Sequence, residues 1–303
     1  PNVTLIDYGW RERGGVLHKD EPAIRVHVAT KISSGLALET ATRQGYTRGQ
    51  IPDEIGGFPV DVPQGSFRLQ QVRWFEPWRM SALPRARRVD PMLGGISIAN
   101  ARLDGYGTLG GAVVDRDTGA KMILSNWHVL AGVWHARPGW PILQPGSGDG
   151  GRLSDTAARL SRHAMESNLD AAVAELTGER NLINSQFDLQ PVRGMAWALP
   201  GMEVIKSGRK SGVTRGVVSG VEGTTILSYS GVRRQIRNVI TIEPREPGAE
   251  VSAGGDSGSF WLDEATVEVV GLHFAGGNRP ERALAIDIQP ILNVLNVDLL
   301  FES

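Results

Sequence analysis

Three residues stand in surroundings that could support nucleophilic chemistry: His128, Asp170 and Ser257. His128 follows the apolar, strand-like run of residues 122–125 and enters a small-residue turn, which leaves its side chain at a sheet edge. Asp170 heads the apolar segment DAAVAEL, and Ser257 lies between glycines, whose missing side chains let backbone amides turn toward one point. A serine hydroxyl needs a base near neutral pH, and the pKa of histidine lies in the working range. These residue types therefore fit a serine nucleophile served by a histidine base.

The chain order of the three residues favours this interpretation over a structural one. Taken singly, a histidine after a strand is usually structural, Asp170 could cap a helix, and a Gly-Asp-Ser-Gly run is usually a surface turn. The order His, Asp, Ser, with separations of 42 and 87 residues, differs from the Asp, His, Ser order of subtilisins and from the Ser, Asp, His order of α/β-hydrolases. The GxSxG elbow of α/β-hydrolases also fails, since the run from Gly255 reads G-D-S-G-S.

The segments around these residues resemble the trypsin-like serine protease family. Members of that family carry a small-residue pair and a histidine after a buried strand, then a D-[AIL]-A segment, then GDSG; here these are SNWHVLAG, LDAAVAEL and GGDSGS. The resemblance extends to GTLGGAVV, SGRKSGVTRGVV and GLHFAGG, and covers roughly residues 91–303. It implies an all-β, chymotrypsin-like fold of two six-stranded antiparallel β-barrels with a C-terminal helix, of the bacterial type without disulfides.

The resemblance also assigns roles to residues. Ser257 would be the nucleophile, His128 its base, and Asp170 the acid that holds the imidazole in the right tautomer. The backbone amides of Gly255 and Ser257 would form the oxyanion hole. We expect no organic cofactor and no metal; a metal hydrolase is disfavoured because the sequence has no HExxH motif.

Asp256 raises the question of activation. In the chymotrypsin branch of the family this aspartate pairs with a new amino terminus released by cleavage, and the RARR run of residues 85–88 could be such a cleavage site. An internal arginine or lysine partner, or polar contacts alone, is the favoured alternative.

The substrate pocket is assigned by its spacing from Ser257 and by resemblance. Counting back from Ser257 places Val251 where trypsin carries its acid, which disfavours a Lys or Arg before the cut. By resemblance to glutamate-preferring relatives, His273 suggests an acidic residue there; alternatively His273 packs under its strand and Phe274 fills the pocket. Phe274 also replaces the serine that usually supports the triad's acid. The residues expected to line the pocket are Val251, Ser252, His273, Phe274, Ala275 and Gly276.

Composition excludes several other classes of function. The 32 basic and 33 acidic residues give a formal charge of −1, so nucleic acid is not an expected partner. The absence of cysteine excludes disulfides, a thiol nucleophile, iron–sulfur clusters and thiolate zinc sites. No apolar run approaches the ~20 residues of a membrane span, and the first residues do not resemble a signal peptide. A cytoplasmic location is expected, with secretion left open.

The chain divides into three parts by composition. Residues 1–67 suggest a small α/β appendage, with strands at Ala23–Thr30 and Phe58–Val62 and a short helix at Ser34–Gln44. The arginine-rich residues 68–90 suggest a connector, and residues 91–303, with many glycine-separated apolar runs, the trypsin-like domain. The final segment IQPILNVLNVDLLFE has apolar residues at helical spacing and predicts a closing helix.

These observations predict a serine endopeptidase that hydrolyses protein or peptide substrates through an acyl-enzyme. The alternative is a latent or inactive protease-fold module that binds peptides or partner proteins. The appendage could block the cleft, mediate homo-oligomerisation or recruit a regulatory partner.

Overall fold

The computed structural model describes residues 2–14, 16–31, 51–70 and 83–301. Strands dominate these residues and form two large sheets, which confirms the all-β prediction. The helix expected at Ser34–Gln44 and residues 71–82 of the expected connector lie outside the described residues. Within the described ranges, no helix is long and apolar enough to cross a membrane.

The strands follow one another along the chain with few helices between them. The N-terminal strands are β1 (Val3–Arg13), β2 (Val16–Val28), β3 (Glu54–Ile55), β4 (Phe58–Asp61) and β5 (Arg68–Leu69). Next come β6 (Met92–Gly94), β7 (Ser97–Asn100), β8 (Gly107–Thr108), β9 (Gly111–Asp115), β10 (Lys121–Ser125), β11 (Pro141–Leu143), β12 (Thr156–His163) and β13 (Ala172–Leu176). The remaining strands are β14 (Leu182–Gln186), β15 (Gly194–Met195), β16 (Glu203–Gly208), β17 (Gly212–Tyr229), β18 (Val232–Pro244), β19 (Phe260–Asp263), β20 (Glu268–Asn278), β21 (Glu281–Asp287) and β22 (Val297–Leu299). The α-helices are α1 (Trp127–Leu130) and α2 (Ile288–Leu295).

The first sheet has eight strands in the order β22-β9-β10-β13-β12-β11-β7-β8. Its central strands β10 and β13 are rich in apolar residues, and Ile123, Leu124 and Val173 are fully buried among them. The antiparallel register of these two strands places Ser125 opposite Ala172. The ends of β10 and β13 therefore meet at one edge of the sheet, next to His128 and Asp170.

The second sheet contains the predicted six-stranded barrel. Its order is β16-β19-β20-β21-β18-β17, and an additional pairing of β16 with β17 closes the ring. The ring encloses a second apolar cluster that includes Val204, Ile240 and Trp261. The two-barrel expectation is thus confirmed, although the first sheet has eight strands because the two-residue β8 and the C-terminal β22 join it.

The N-terminal hairpin extends the second sheet. β1 pairs antiparallel with β17, with Leu5 opposite Thr225, and β2, β4 and β3 continue the sheet outward. Along β1, Leu5 and Asp7 are buried while Ile6 and Tyr8 are exposed, the period of two of a half-buried strand. The described part of the expected α/β appendage is therefore strand-built and continuous with the barrel, whereas the predicted boundary between residues 67 and 68 stays a prediction.

A buried polar cluster attaches this hairpin to the barrel. The carboxylate of Asp7 accepts from Arg25 Nε at 2.8 Å and from the Thr241 hydroxyl at 2.6 Å, and His27 Nε2 lies 3.2 Å from it. Burial alone would raise the pKa of Asp7, but the charge of Arg25 together with His27 and the hydrogen bonds from both residues outweighs it and holds that pKa far below its usual range. Because Thr241 belongs to β18, the cluster connects β1 and β2 to the ring itself.

The C-terminal segment differs from the prediction. The closing helix ends at Leu295, and residues 297–299 form β22, which pairs antiparallel with β9 of the first sheet. Asn296 adopts the left-handed conformation (φ 50°), which terminates the helix. The apolar spacing of residues 297–299 therefore reflects the alternation of an edge strand, with Val297 and Leu299 buried and Asp298 exposed.

The carboxyl group that caps helix α2 makes folding stability depend on pH. Asp287 accepts from the backbone N–H of Gln289 at 3.0 Å. Burial, with a contribution from Glu222, raises the pKa of Asp287 from 3.8 to about 7. An acid whose pKa is raised on folding favours the folded state while it is protonated, so this stability is lost as the pH rises from about 4 to 7.

Replacement of Asp287 by asparagine should therefore stabilise the protein in a pH-dependent manner. Asparagine keeps the cap without the buried charge, so we expect the free energy of unfolding to rise by about 1–3 kcal/mol at pH 8 and to change little at pH 4.5. Urea unfolding at the two pH values measures this difference. An equal effect at both values would contradict the raised pKa.

Candidate active site

The turn after β10 places His128 beside Asp170. β10 ends at Ser125, and α1 begins at Trp127, so His128 is the second residue of a short helix whose side chains are all buried. Asn126 Nδ2 donates to the backbone oxygen of Asp170 at 2.8 Å. This bond joins the two segments independently of their charged side chains.

Both carboxylate oxygens of Asp170 face His128. Oδ2 lies 2.5 Å from His128 Nδ1, and Oδ1 accepts from the His128 backbone N–H at 3.1 Å. A carboxylate at Nδ1 holds the proton on that nitrogen, so the lone pair of the neutral ring is on Nε2. The ring is thereby oriented to act as a base through Nε2.

Tyr229 provides a further contact to Asp170 that sequence analysis missed. Its hydroxyl donates to Asp170 Oδ2 at 3.0 Å from the end of β17. Burial, followed by the charge of Asp170, raises the pKa of Tyr229 well above its usual value, so the phenol keeps its proton. By resemblance, a serine at position 274 would hydrogen-bond to the carboxylate of Asp170. Phe274 cannot do so, and Tyr229 makes such a hydrogen bond instead. Nothing in the run TTILSYS distinguishes this tyrosine from an ordinary strand residue.

The loop of Ser257 depends on two glycines with positive φ. Gly255 has φ 108° and Gly258 has φ 98°. A Cβ at Gly258 would lie 2.1 Å from Ser125 Oγ, and one at Gly255 would lie 2.4 Å from the ring of Tyr106. The glycines therefore permit both the turn and its close packing on the first barrel.

Ser257 lies against strand β20. Its hydroxyl donates to the Phe274 backbone oxygen at 3.3 Å, while Gly258 N donates to His273 O at 2.8 Å. The hydroxyl proton stays on Ser257 Oγ and rotates about the Cβ–Oγ bond, so the hydroxyl can donate to Phe274 O or to another acceptor, one at a time. Ser257 itself is fully buried.

Asp256 pairs with an internal lysine. Lys206 Nζ lies 2.9 Å from Asp256 Oδ2, and both side chains are fully buried. The other oxygen, Oδ1, accepts from the backbone N–H groups of Lys210 and Ser211 at 2.9 and 3.0 Å. Burial alone would raise the pKa of Asp256, but the charge of Lys206 together with the hydrogen bonds from Ser211 and Lys206 outweighs it and keeps the pKa well below its usual range. The favoured alternative of an internal basic partner is thus what the structure contains.

The wall at Val251 and Ser252 carries a carboxylate that the sequence analysis did not place there. Glu281 Oε1 accepts from the backbone N–H groups of Val251 and Ser252 at 3.0 and 3.4 Å. Burial raises the pKa of Glu281. The Val251 side chain itself packs into the apolar cluster of the second barrel. Val251 therefore contributes its backbone to this wall, and the acid comes from β21.

His273 is held as a neutral ring. Its Nδ1 accepts from Trp261 Nε1 at 3.4 Å, and its Nε2 lies 2.6 Å from the side-chain oxygen of Gln70. Burial, and then the charge of Lys206, lowers the pKa of His273 to about 3. Because Nδ1 is the acceptor, Nε2 carries the proton and donates it to Gln70. His273 thus makes the expected contact with the core and also presents a donor to the side chain of Gln70, the residue after β5.

The predicted site residues fall into two contiguous groups. His128 and Asp170 form one group at the edge of the first sheet. The other group consists of the Ser257 loop and the part of β20 that it contacts, and it contains Gly255, Ser257, His273, Phe274, Ala275 and Gly276. Ser252 lies apart from these contacts, on Glu281. The assignment of these residues to catalysis and to the pocket stays a prediction at this point.

Comparison with known proteins identifies the fold. No protein-family model and no curated protein matches the chain. Among solved structures, Nocardiopsis protease (NAPase) matches with a TM-score of 0.51 and 17% identity, over 69% of this chain and 98% of that one. Cellulomonas bogoriensis chymotrypsin matches with a TM-score of 0.50 and 16% identity, over 69% and 98% of the two chains.

A third similar structure is a glutamic acid specific serine protease, described as using a histidine triad in substrate binding. It has a TM-score of 0.52 and 18% identity, over 69% of this chain and 100% of that one. The chain therefore has the two-barrel fold of bacterial chymotrypsin-like serine proteases, and the expectation of that fold without disulfides is confirmed.

Proposed function

We propose that this chain is a serine endopeptidase in which His128, Asp170 and Ser257 form the catalytic triad. The observation that carries the proposal is the pairing of Asp170 with both Nδ1 and the backbone N–H of His128, at 2.5 and 3.1 Å. An ordinary ion pair lies at the surface and makes one contact, whereas the buried carboxylate of Asp170 contacts His128 through both of its oxygens. The fold supports the proposal, because its solved neighbours are serine proteases.

The reaction would proceed by acyl transfer. Ser257 Oγ attacks the substrate carbonyl carbon and passes its proton to His128 Nε2, and Asp170 stabilises the imidazolium that forms. His128 then protonates the leaving amine, and water hydrolyses the resulting ester by the same route in reverse. The substrate would be a protein or peptide, and the chemistry needs no metal or organic cofactor.

The backbone N–H of Gly255 would stabilise the negative oxygen of the tetrahedral intermediate, together with that of Ser257. Loss of one such donor costs enzymes about 100 to 1,000-fold in turnover. In the structure Gly255 N already donates to a carbonyl oxygen, that of Gln70, at 2.5 Å. The amide therefore points where a substrate carbonyl would have to lie.

An inactive, peptide-binding module is the second candidate. It is favoured by the burial of Ser257 and by the 3.3 Å contact of its hydroxyl with Phe274 O. This geometry also fits an active enzyme whose cleft is occupied, and the two candidates differ in the reactivity of Ser257.

A preference for an acidic residue before the cut needs a cation in the pocket. The neutral state of His273 makes that preference less favourable, because a carboxylate would be buried against an uncharged donor. An uncharged polar side chain suits the same donor without that cost.

A fluorophosphonate probe tests the proposed function without a known substrate. We expect the probe to label Ser257, as located by peptide mass spectrometry, and we expect no labelling of the Ser257→Ala or His128→Ala variants. A Gln70→Pro variant is labelled in parallel, because proline lacks the N–H that Gln70 donates to Phe274 O and should open the cleft. Folded protein that stays unlabelled in both the natural and the Gln70→Pro chains would show an inactive module.

A further inference from the structure

The edge of strand β20 is occupied by the chain's own residues. β5 pairs antiparallel with β20, with Leu69 opposite Ala275 and Arg68 opposite Gly276. The next residue, Gln70, donates its backbone N–H to Phe274 O at 3.4 Å. Residues 68–70 are thus an added strand that runs along the predicted pocket wall toward Ser257, the mode in which extended peptides bind to a sheet edge.

The backbone of Gln70 lies where the reaction would take place. Its carbonyl oxygen accepts from Gly255 N at 2.5 Å. Phe274 O accepts from both Gln70 N, at 3.4 Å, and Ser257 Oγ, at 3.3 Å. A shared acceptor brings the serine hydroxyl next to the backbone of Gln70, while the carbonyl oxygen is held by the amide of the proposed oxyanion hole. This is the placement of an acyl donor.

The side chain of Gln70 fits the pocket. Its Oε1 accepts from His273 Nε2 at 2.6 Å. A Cβ added to Gly276 would lie 2.3 Å from Gln70 Nε2, so the carboxamide packs directly on the glycine backbone. The site therefore contacts the Gln70 side chain in two ways, by packing against Gly276 and by a hydrogen bond to its side-chain oxygen.

The charges around this pocket favour glutamine over glutamate. His273 is neutral, so it offers a hydrogen bond without a compensating charge. A glutamate before the cut would bury its charge beside an uncharged ring, and an unpaired buried charge is costly. Glutamine makes the same hydrogen bond without that cost.

Hydrogen bonds to the N-terminal hairpin also hold the chain just before residues 68–70 in place. Gly65 N donates to Val28 O at 2.9 Å, and its carbonyl oxygen accepts from the Thr4 hydroxyl at 2.7 Å. Arg282, from β21, donates to the backbone oxygen of Gln64 at 2.6 Å. These bonds fix the chain immediately before residues 68–70 to both the hairpin and the barrel.

We propose that the site cuts peptide bonds after glutamine and that its own chain is a substrate, at the carbonyl of Gln70. The proposal rests on the proposed endopeptidase function. Ser257 Oγ forms an ester with the Gln70 carbonyl carbon as the amide bond to Gln71 breaks, and the hydroxyl proton passes through His128 to the leaving amine of Gln71. Water then hydrolyses the ester and leaves a carboxylate on Gln70 and a free amino group on Gln71.

Incubation of the purified full chain in H₂¹⁸O tests the cut in cis. We expect two fragments, residues 1–70 and 71–303, with ¹⁸O in the new carboxylate of Gln70. The Ser257→Ala chain should remain whole. The matched variant Gln70→Glu should be cut about tenfold or more slowly at pH 7.5, because a near-isosteric side chain then carries a charge.

The pH dependence separates the charge effect from a change of fit. The carboxyl of a free glutamate has a pKa of about 4.3, so protonation makes Gln70→Glu resemble the natural residue. We expect the ratio of its cutting rate to that of the natural chain to rise as the pH falls from 7.5 to 5. A ratio that does not change with pH would overturn the role of charge.

A peptide substrate tests the same preference in trans. The peptide SFRLQQVR, which copies residues 66–73, and its SFRLEQVR counterpart are compared with the Gln70→Pro protein as the enzyme. We expect kcat/KM to be about tenfold or more higher for the glutamine peptide at pH 7.5. Absence of probe labelling at Ser257 would overturn the proposed function itself. Labelling at Ser257 without a cut after Gln70, or with no preference for glutamine, would overturn this proposal alone.

Discussion

The Asp170→Asn variant should lose about 10,000-fold in kcat while it remains folded. An asparagine amide can donate to Nδ1 of His128, which stabilises the tautomer with its proton on Nε2 and removes the base from the cleft. The backbone N–H of His128 can still donate to the asparagine oxygen in place of the 3.1 Å bond to Asp170 Oδ1, so the fold of the turn should persist. The rate of fluorophosphonate labelling, and hydrolysis of the glutamine peptide, measure the loss.

Tyr229→Phe is the matched control for this variant. It removes one hydrogen bond to the same carboxylate, at 3.0 Å, and leaves the tautomer of His128 unchanged. Its expected loss is about tenfold, the equivalent of about 1.4 kcal/mol. If Asp170→Asn cost no more than Tyr229→Phe, Asp170 would be a structural acid and not the orienting member of a triad.

The Lys206→Met variant should lower the free energy of unfolding by about 3–5 kcal/mol. It leaves Asp256 buried without its countercharge, and Asp256 also accepts from the backbone N–H of Ala253 at 2.9 Å in the nucleophile loop. Activity should therefore fall together with stability, because the same carboxylate positions the loop that carries Ser257. Urea unfolding and probe labelling report the two losses.

The pH dependence of that variant has a definite sign. In the natural protein the depressed pKa of Asp256 contributes stability that is present above about pH 4 and is lost as the pH falls. In Lys206→Met the pKa of Asp256 should instead be raised by burial, so the variant should gain stability relative to the natural protein as the pH falls from 7 to 4. The double variant Lys206→Met/Asp256→Asn removes the buried charge; a stability as low as that of Lys206→Met would show that lost packing, not charge, is responsible.

The sequence indicated the residues of the site more fully than their partners. Ser257 and its glycines form a local motif, because positive φ at Gly255 and Gly258 is a property of the turn itself. Lys206 and Asp256 are 50 residues apart, and Tyr229 and Asp170 are 59 residues apart. Such contacts depend on the register of strands across a barrel, which short motifs do not encode. The partners therefore became visible only in the folded chain.

The two ends of the chain also show which features a local pattern predicts and which depend on tertiary contacts. The apolar spacing after Pro290 fits both a helix and an edge strand, and the conformation of Asn296 decides where one changes to the other. In β1, the buried Asp7 reads as a solvent-facing residue until Arg25 and Thr241 are brought to it. Alternation in the sequence predicted strands at Ala23–Thr30 and Phe58–Val62, but β1 and the polar cluster around Asp7 became visible only in the folded chain.

The pairing of β1 with β17 means that the N-terminal hairpin cannot join its sheet until β17 has been synthesised. Leu5 lies opposite Thr225, and ribosomes add about 5–20 residues per second, so the hairpin waits on the order of 10–40 s for its partner strand. Through that interval its open edge has no barrel to join. Residues 68–70 likewise have no cleft to enter until β20 has been made. A nascent chain therefore cannot cut itself after Gln70 until nearly all of it has left the ribosome, and self-cleavage would mark a completed barrel.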